Sequence, residues 1–535
     1  MTRRSTGPGS DSASTDSGPA ALEGHGGGWD YGILALVAVH ISLAVLVFES
    51  TLFPGADAGH YMVLGESLRT LTGFRDIQLP GSPLHAKFPP GYPLILAVAG
   101  WFGGLQLFKA ISLAFTAGAV WLTYRIARSF VDRRASLVAA GLFAVTPVLL
   151  DFSHRVLTEA SFTFLLLAVV VATLDDRRVG VLALAAAAGA FVTRTAGLSV
   201  LLALVVWTLL SKDRRASVAA LLVAATCVVG WAVYQHLAQP SQPGYLQQLI
   251  QENPYVPAAG TVRIADFPVR AAQNLWRYVS SEFPGSFGLP TLRRGTVFVT
   301  AASGILLSAL ALTGWLRSAV DRLTLSHVLL ALYIGLILVW PPVWTDRRFL
   351  IPVLSLLIVF GVTGSLALVE RLGARAGYAF IAILCGGLTT VALVTSGALI
   401  PGRVACQVAY RGGEPCDRPQ YAEFYAMARW AAANTPPRSV IANRSPATFF
   451  LFSRRQGDLY RYSRDADVVI GGLEEMGADY VLVDRLSATT RMYLVPAIAE
   501  NLDRFEVVNL IGGEEGTALL RMLPVSRTAA APVPQ

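Results

Sequence analysis

The chain has 535 residues and a formal net charge of +8, yet only 15% of its residues are charged and 54% are hydrophobic. Soluble domains carry about 25% charged residues, so this composition excludes an ordinary soluble protein and indicates a polytopic α-helical membrane protein. The positive charges form short clusters between apolar runs, which is typical of topology signals, and we predict no nucleic-acid partner. Four cysteines without a CxxC pair exclude a zinc ribbon or a disulfide scaffold.

The N-terminal stretch, residues 1–29, is rich in Ser, Gly, Thr and Asp and has almost no large apolar side chain. Such a segment cannot bury enough apolar surface to fold, so we predict a disordered cytoplasmic tail. The first apolar run, about 31–49, has close to the ~20 residues that a helix needs to cross the hydrocarbon core. It is too long for the apolar region of a signal peptide, and no cleavage site follows it, so we predict an uncleaved first span.

Further apolar runs bring the predicted number of membrane spans to about eleven, within a transmembrane domain that covers residues 30–400. The runs after the first lie at about 106–129, 135–150, 156–174, 179–193, 196–211, 216–237, 296–316, 323–341, 348–369 and 377–400. The segment 91–104 is apolar but has only about two-thirds of the length that a crossing helix needs. We predict that it lies at the membrane interface.

Charge supports that placement of segment 91–104. If the segment does not cross, all the basic clusters between later spans lie on the side of the N-terminal tail, as the positive-inside rule requires. The tail carries Arg3 and Arg4, and the five clusters are Arg125, Arg128, Arg133 and Arg134; Arg177 and Arg178; Lys212, Arg214 and Arg215; Arg317 and Arg322; and Arg371 and Arg375. We therefore predict a multi-pass protein of the cytoplasmic membrane with its N-terminus inside and its C-terminal domain outside.

Three outer segments follow from this topology. The first outer loop covers 55–105, and a second, rich in proline and aromatic residues, covers 238–295. We predict that residues 401–524 form a small extracytoplasmic α/β domain, because a predicted helix at 421–434 precedes the short β-type runs SVIAN, TFFLF, DVVIGG, YVLVD, FEVVNLI and TALLRM. At its entrance, Cys406 and Cys416 either form a disulfide in an oxidising compartment or remain free thiols. The final residues, 525–535, form a low-complexity tail.

Charged side chains recur at the predicted outer ends of the spans, where the positive-inside rule disfavours cations. The cations are Lys87, Arg155, Arg194, Arg347 and Arg348, and the carboxylates among them are Asp57 and Glu159. Arginine and lysine at this depth suit a lipid-linked phosphate whose tail stays in the bilayer. A carboxylate near the anomeric carbon of a sugar can deprotonate an incoming hydroxyl. Together these groups indicate glycosyl transfer.

Simpler structural roles are open for each residue taken alone. Asp57 can cap a helix that starts near Ala58, and Glu159 can interact with the N-terminal dipole of its span. A single arginine at a span end commonly anchors the helix to lipid head groups. His60 and His85 lack metal-ligand spacing, so we predict no metal site from the residues.

Five motifs in order resemble those of the GT-C membrane glycosyltransferases. They are the D-x-x-x-Y of Asp57 and Tyr61, the HAKFPPGYP of 85–93, the acidic Glu159 opening a span, Arg194 in a short outer corner, and the RRFLIP of 347–352. Among these enzymes, the chain is most similar to the protein O-mannosyltransferase and aminoarabinose-transferase branch. The resemblance covers approximately residues 31–400.

The resemblance implies an inverting transferase that moves a sugar from a polyprenyl-phosphate donor to an acceptor hydroxyl on the outer face of the membrane. It implies catalytic roles for Asp57 and Glu159 and substrate contacts from Tyr61, His85, Lys87, Arg155, Arg194, Arg347 and Arg348. Of these, Lys87 would contact the donor phosphate, and Arg194 and Arg347 would help to hold it. Many relatives have Asp-Glu in the first loop, whereas here Ala58 follows Asp57. The use of a divalent cation and the acceptor class, whether protein, lipid or glycan, therefore stay open.

Two other functions stay open on the sequence alone. A transporter or flippase of lipid-linked sugars typically shows internal repeats and ionisable residues near mid-membrane, but here no repeat is evident and the charges cluster at span ends. A non-catalytic envelope protein that binds lipid-linked sugar would have the same composition and the same outer charges.

Overall fold

The computed structural model describes residues 30–53, 56–174, 179–238, 244–290, 297–411, 416, 418–513 and 515–524. The two predicted tails, 1–29 and 525–535, lie outside the described residues, as do the basic residues Arg177 and Arg178.

Helices dominate the first three-quarters of the chain. They are α1 Tyr31–Leu46, α2 Ala56–Arg69, α3 Gly91–Ala99, α4 Leu105–Ala127, α5 Arg133–Val145, α6 Pro147–Phe152, α7 Thr158–Val171, α8 Val181–Thr193, α9 Leu198–Leu210, α10 Arg214–Ala238, α11 Tyr245–Ile250, α12 Phe267–Arg277, α13 Phe283–Ser286, α14 Val297–Asp321, α15 Leu325–Leu338, α16 Ile351–Leu372, α17 Ala374–Gly397 and α18 Ile400–Arg411. The predicted apolar runs all fall on helices, as expected for a polytopic membrane fold.

The number of spans stays a prediction. In the described part of the chain, α4, α10, α14, α16 and the run from α17 through α18 are long and apolar enough to cross a membrane. Shorter apolar helices correspond to α1, α7, α8, α9 and α15. The predicted span 135–150 is divided instead between α5 and α6, because Pro147 has no N–H to continue the hydrogen bonding of α5.

Segment 91–104 contains only the short helix α3. At 1.5 Å per residue its 9 residues extend about 14 Å, roughly half of the hydrocarbon thickness. The helix packs on α2, where the rings of Tyr61 and Tyr92 meet edge to face with 5.2 Å between their centroids. This length fits the predicted interfacial placement, whereas the sidedness of the chain stays a prediction.

The second outer loop contains more regular structure than its proline content predicts. Helices α11, α12 and α13 lie within it, together with a π-helical turn at Tyr278–Glu282. Pro268 stands at the second position of α12, where a missing N–H costs nothing and the fixed φ favours the helix. Pro284 stands at the second position of α13, which continues directly from the π-helical turn. The prolines are therefore accommodated within helical structure.

The membrane-embedded core depends on close packing between α14 and α16. A Cβ atom on Gly314 would lie 1.9 Å from the carbonyl oxygen of Phe360, and one on Gly364 would lie 2.0 Å from that of Leu310. Small residues let helix backbones approach in this way in membranes. The fully buried rings of Phe143, Phe162 and Phe360 belong to the same core.

The C-terminal domain combines a mixed four-stranded sheet with helices, as predicted for a small α/β domain. Its strands, β1 Ile441–Ala442, β2 Tyr480–Val483, β3 Phe505–Ile511 and β4 Thr517–Met522, are ordered β1-β2-β4-β3, with only the β1–β2 pair parallel. Its helices are α19 Pro419–Asn434, α20 Pro446–Ser453, α21 Ala466–Met476 and α22 Val495–Ala499. Of the two alternatives for Cys406 and Cys416, the structure shows the disulfide.

Two of the predicted β-type runs are helices. The run TFFLF lies in α20, which starts at a proline in its first turn. The run DVVIGG lies in α21, where the side chain of Asp465 accepts a hydrogen bond from the N–H of Asp467 and Gly477 ends the helix with φ of 67°. The residues that begin and end these helices therefore favour helix more strongly than the aromatic and β-branched side chains of the two runs favour strand.

The C-terminal domain packs against the first outer loop. Gly59 of α2 touches α20 so closely that an added Cβ would lie 2.7 Å from the backbone nitrogen of Thr448. Beside it, Arg454 forms an ion pair with Glu66 at 2.8 Å, and the N–H of Gly457 donates to the carbonyl of Gln78. These contacts fix the C-terminal domain against the first outer loop.

We predict that Gly59→Ala destabilises the protein although alanine is the better helix former. The added methyl group must push α20 away from α2, and overpacking of this kind costs about 1–3 kcal/mol. Thermal unfolding of the full-length protein in detergent measures the change. Gly471→Ala in α21 is the matched control, because nothing lies within 4 Å of its added Cβ. A Gly59→Ala protein as stable as the wild type would contradict this interface.

Candidate active site

A cavity of about 1610 Å³ lies between one set of helix ends of the transmembrane domain and the C-terminal domain. Every site residue predicted from the sequence lines this one cavity, and these are Asp57, Tyr61, His85, Lys87, Arg155, Glu159, Arg194, Arg347 and Arg348. The fold thus gathers side chains from distant parts of the sequence. Their individual roles are inferred from the contacts that each one makes.

Four charged residues form an alternating chain in the cavity wall. Arg348 Nη2 lies 3.2 Å from Asp57 Oδ2, and Arg348 Nε lies 3.7 Å from Glu159 Oε1. On the far side of this glutamate, Arg194 Nη1 lies 2.7 Å from Glu159 Oε1. Arg348 therefore connects the two carboxylates, and Arg194 holds the deeper one.

Local structure fixes both carboxylates. Helix α2 begins at Ala56, so Asp57 lies within its first turn and is not its N-cap, and the capping role considered from the sequence is wrong. Glu159 lies in the first turn of α7, where a negative charge is favoured by the helix dipole. The Glu159 side chain is only 3% exposed, whereas that of Asp57 is 34% exposed. Of the two, Asp57 is open to a bound molecule.

The two arginines share a platform, the ring of Phe349. The ring centroid lies 4.9 Å from the guanidinium carbon of Arg348 and 5.4 Å from that of Arg194. The turn Arg347–Phe349 is fixed because the Asp346 carboxylate accepts a hydrogen bond from the N–H of Arg348 at 2.9 Å. Stacking and turn geometry together orient Arg348 between the carboxylates.

Electrostatics keep Asp57 in its charged form. Burial by itself would raise the pKa of Asp57, but the positive charges of Arg348, Lys87 and His60 outweigh it, so that the pKa is lowered from its usual value. A carboxylate with a lowered pKa is ionised at neutral pH. Asp57 can therefore accept a proton or a hydrogen bond from a hydroxyl group.

Lys87 and Arg347 are cations without a carboxylate partner among the described residues. Lys87 Nζ lies 5.5 Å from the centroid of the Phe88 ring. Burial is the main cause that lowers the pKa of Lys87, and the charges of Asp57 and Asp76 partly offset it. Arg347 Nη1 donates only to the carbonyl of Gly285, at 3.2 Å. These two side chains are available to an anion in the cavity.

Three of the predicted contacts are already engaged within the protein. Both ring nitrogens of His85 are bonded, Nδ1 to Asp76 at 2.9 Å and Nε2 as acceptor from the N–H of Phe88 at 2.7 Å. Arg155 forms an ion pair with Asp151 at 2.8 Å. Tyr61 is buried against aromatic rings. His85 therefore shapes the turn that carries Lys87.

Sequence reasoning missed a second wall of the cavity. It is built by aromatic residues of the second outer loop and the segment before α16, and by polar residues of the C-terminal domain, namely Tyr245, Tyr255, Trp340, Trp344, Arg444, Asp458, Tyr460 and Tyr462. Within it the rings of Tyr245, Trp340 and Trp344 follow one another at 6.0 Å and 5.7 Å. Only the aromatic content of the second outer loop pointed to this wall.

The described residues do not form an evident metal site. Arg348 contacts both Asp57 and Glu159, where a divalent cation bridging the two carboxylates would have to bind. No group of three or more His, Cys, Asp or Glu side chains with metal-binding geometry occurs in the described ranges. We therefore derive no step of the chemistry through a metal ion.

No family model matches the sequence, and no curated protein matches it at a significant level. Solved structures do match the fold. The oligosaccharyltransferase AglB from Archaeoglobus fulgidus, in complex with an inhibitory peptide and a dolichol-phosphate, aligns with a TM-score of 0.55 and 12% identity over 93% of this chain and 75% of its own. ArnT from Cupriavidus metallidurans, bound to undecaprenyl phosphate, aligns with a TM-score of 0.52 and 15% identity over 94% of this chain and 99% of its own.

A third similar structure is the arabinofuranosyltransferase AftD from Mycobacteria, with a TM-score of 0.50 and 15% identity. The alignment covers 92% of this chain and 40% of AftD, so AftD is much the longer protein. All three proteins are GT-C glycosyltransferases. At these identities the likeness establishes the fold, which agrees with the resemblance noted in the sequence motifs.

We predict that removing only one partner of the Glu159–Arg194 ion pair destabilises the protein more than removing both. Glu159→Ala leaves the buried Arg194 charge without its closest partner, which costs about 3–5 kcal/mol. The double variant Glu159→Met, Arg194→Met removes both charges and should recover most of that loss. Thermal unfolding in detergent compares the proteins. A single variant at least as stable as the double variant would contradict the coupling.

Proposed function

We propose that this protein, whose fold is that of the GT-C membrane glycosyltransferases, transfers a sugar from a polyprenyl-phosphate donor to an acceptor hydroxyl group. The observation that carries the proposal is the arrangement of the cavity. An ionised, partly exposed carboxylate, Asp57, lies in the same cavity as Lys87 and Arg347, two cations that have no carboxylate partner among the described residues. The proposed base and the proposed phosphate site therefore lie in one cavity.

Lys87 and Arg347 would stabilise the leaving group. When the bond between the sugar and the phosphate breaks, the polyprenyl phosphate gains negative charge, and fixed cations favour the transition state in which this charge develops. The prenyl tail would remain in the bilayer beside the membrane helices. The bound undecaprenyl phosphate of ArnT and the dolichol-phosphate of AglB support a lipid phosphate as the donor class.

Asp57 would act as the base. It would accept the proton of the acceptor hydroxyl as the oxygen attacks the anomeric carbon from the side opposite the phosphate, and this single displacement inverts the anomeric configuration. Its lowered pKa makes it a weak base, so the proton would move late, when the new C–O bond is largely formed. Arg348 would keep the carboxylate turned toward the acceptor.

Glu159 would act through Arg348 and not on the substrate. Its carboxylate is buried and already contacts both Arg194 and Arg348. We therefore assign it a positioning role, in place of the second catalytic role that the sequence resemblance implies. Arg194 and Arg348 would serve the same framework, which leaves the phosphate to Lys87 and Arg347.

We place this reaction on the outer face of the cytoplasmic membrane. The placement rests on the basic clusters. Helix α4 has the cavity residue Lys109 near its start and Arg125 in its last turn, and α16 follows the cavity residue Arg348 and has Arg371 in its last turn. Helix α10 begins with Arg214, and near its other end Tyr234 donates to the carbonyl of His85. An extracytoplasmic C-terminal domain is consistent with its Cys406–Cys416 disulfide, since such bonds persist in oxidising compartments.

We predict that Asp57→Asn lowers sugar transfer by about 10²–10⁴-fold, because the amide cannot take the acceptor proton. Membrane vesicles that contain the full-length protein are supplied with labelled hexosyl and pentosyl polyprenyl phosphates, and label bound covalently to acceptor is counted. Asp467→Asn, on the exposed face of α21, is the control.

Unchanged turnover in the Asp57→Asn protein would contradict the assignment of the base. A wild-type protein that moves labelled lipid across the vesicle membrane without forming a covalent product would instead identify a transporter or flippase. Binding of the labelled lipid with neither movement nor transfer would identify a non-catalytic lipid-sugar-binding protein.

A further inference from the structure

Arg444 is the cation of the C-terminal domain that faces the same cavity. It follows strand β1 and precedes α20. Its guanidinium makes no ion pair or hydrogen bond with any residue that the structure describes, and its Nε is shielded from solvent without a partner. A buried N–H group without a hydrogen-bond acceptor costs free energy. The buried position of Arg444 Nε is therefore favourable only if another molecule supplies an acceptor.

The backbone around Arg444 is firmly held. Asn443 Nδ2 donates to the carbonyl of Ile441 at 2.9 Å, while Asn443 Oδ1 accepts from the N–H of Ser445 at 2.9 Å. The N–H of Asn443 also donates to the carbonyl of Asp458 at 3.1 Å. The loop therefore presents the arginine from a fixed position, and its lack of a partner is not a consequence of a loose backbone.

Arg444 lies close enough to Lys87 to affect it. The positive charge of Arg444 contributes to the lowered pKa of Lys87, after the larger effect of burial. Two carboxyl groups lie nearby, and neither forms an ion pair with the Arg444 guanidinium among the described residues. Asp458 lines the cavity. Asp484, which is 2% exposed, accepts a hydrogen bond from the backbone N–H of Arg444 and interacts with its charge, while burial raises the pKa of Asp484 to about 6.

We propose that Arg444 joins Lys87 and Arg347 in binding the phosphate of the lipid donor, so that the C-terminal domain completes the donor site. A phosphate would relieve the repulsion between Arg444 and Lys87 and would supply acceptors for the unpaired N–H groups. The planar guanidinium can hold two phosphate oxygens at once, which a lysine cannot do. The inference rests on the function proposed above, and it adds a residue from outside the membrane domain.

Binding of undecaprenyl phosphate to the full-length protein in detergent tests this inference. Fluorescence of Trp340 and Trp344, which line the cavity, provides the signal. Loss of a charge-assisted hydrogen bond should weaken the affinity of Arg444→Ala and Arg444→Gln by about tenfold or more. Undecaprenol, which lacks the phosphate, should bind equally to all variants. Lys87→Ala should show a comparable loss for the phosphate lipid only.

Arg521→Ala is the matched control. This arginine belongs to the same domain but does not line the cavity, and its guanidinium forms an ion pair with Glu506, so the affinity for undecaprenyl phosphate should not change. Unfolding temperatures of all variants identify any that fail to fold, and Arg444→Gln keeps much of the original side-chain volume if the alanine variant is unstable.

The outcomes separate the two proposals. Wild-type affinity in folded Arg444→Gln, with weakened binding in Lys87→Ala, would overturn the role of Arg444 and leave the proposed function intact. If Arg444→Gln binds undecaprenyl phosphate with wild-type affinity but has a raised KM for the acceptor, Arg444 binds an anionic group of the acceptor. This result would also overturn the inference. A wild-type protein that does not bind undecaprenyl phosphate would contradict the proposed function itself.

Discussion

The contact of Arg348 with Asp57 and Glu159 is the constraint on which the site depends. Arg348 and Asp57 are 291 residues apart in the sequence, so the helices that carry them must be packed correctly before the base is in place. Removing these charges from water is costly, so their burial is tolerated only when each charged group has an ion-pair partner. Arg194 meets this requirement for Glu159, and the Phe349 ring supports both arginines. The same network leaves Lys87 and Arg347 without a carboxylate and therefore free to bind substrate.

The general position of the site could be predicted from the sequence because membrane topology is a strong constraint. Span lengths and basic clusters predict that Asp57, Glu159 and Arg194 lie on the same side of the membrane, and the fold brings them to one cavity. The sequence could not distinguish a paired cation such as Arg194 from an unpaired one such as Lys87. That difference depends on distances of a few ångströms between elements far apart in the chain. It also decides which residues can serve catalysis.

The C-terminal domain was harder to predict in detail. Short apolar runs such as TFFLF and DVVIGG fit a strand or a helix equally well, and the proline and aspartate that begin α20 and α21 decided in favour of helices. Arg444 carries no local motif that sets it apart from the other arginines of this domain. Its significance comes only from the packing of α20 on α2, which brings the domain over the cavity. Contacts between domains are the part of a site that sequence patterns describe least well.

The central claim is that a lipid phosphate binds beside Asp57 in this cavity. A cryo-EM structure of the full-length protein with undecaprenyl phosphate tests it most directly. The account predicts phosphate density within hydrogen-bond distance of Lys87 Nζ, with the prenyl chain leaving toward the membrane helices and the Asp57 carboxylate across the space that the donor sugar would occupy. Phosphate density outside the cavity, or at the helix ends that carry Arg125 and Arg371, would contradict it.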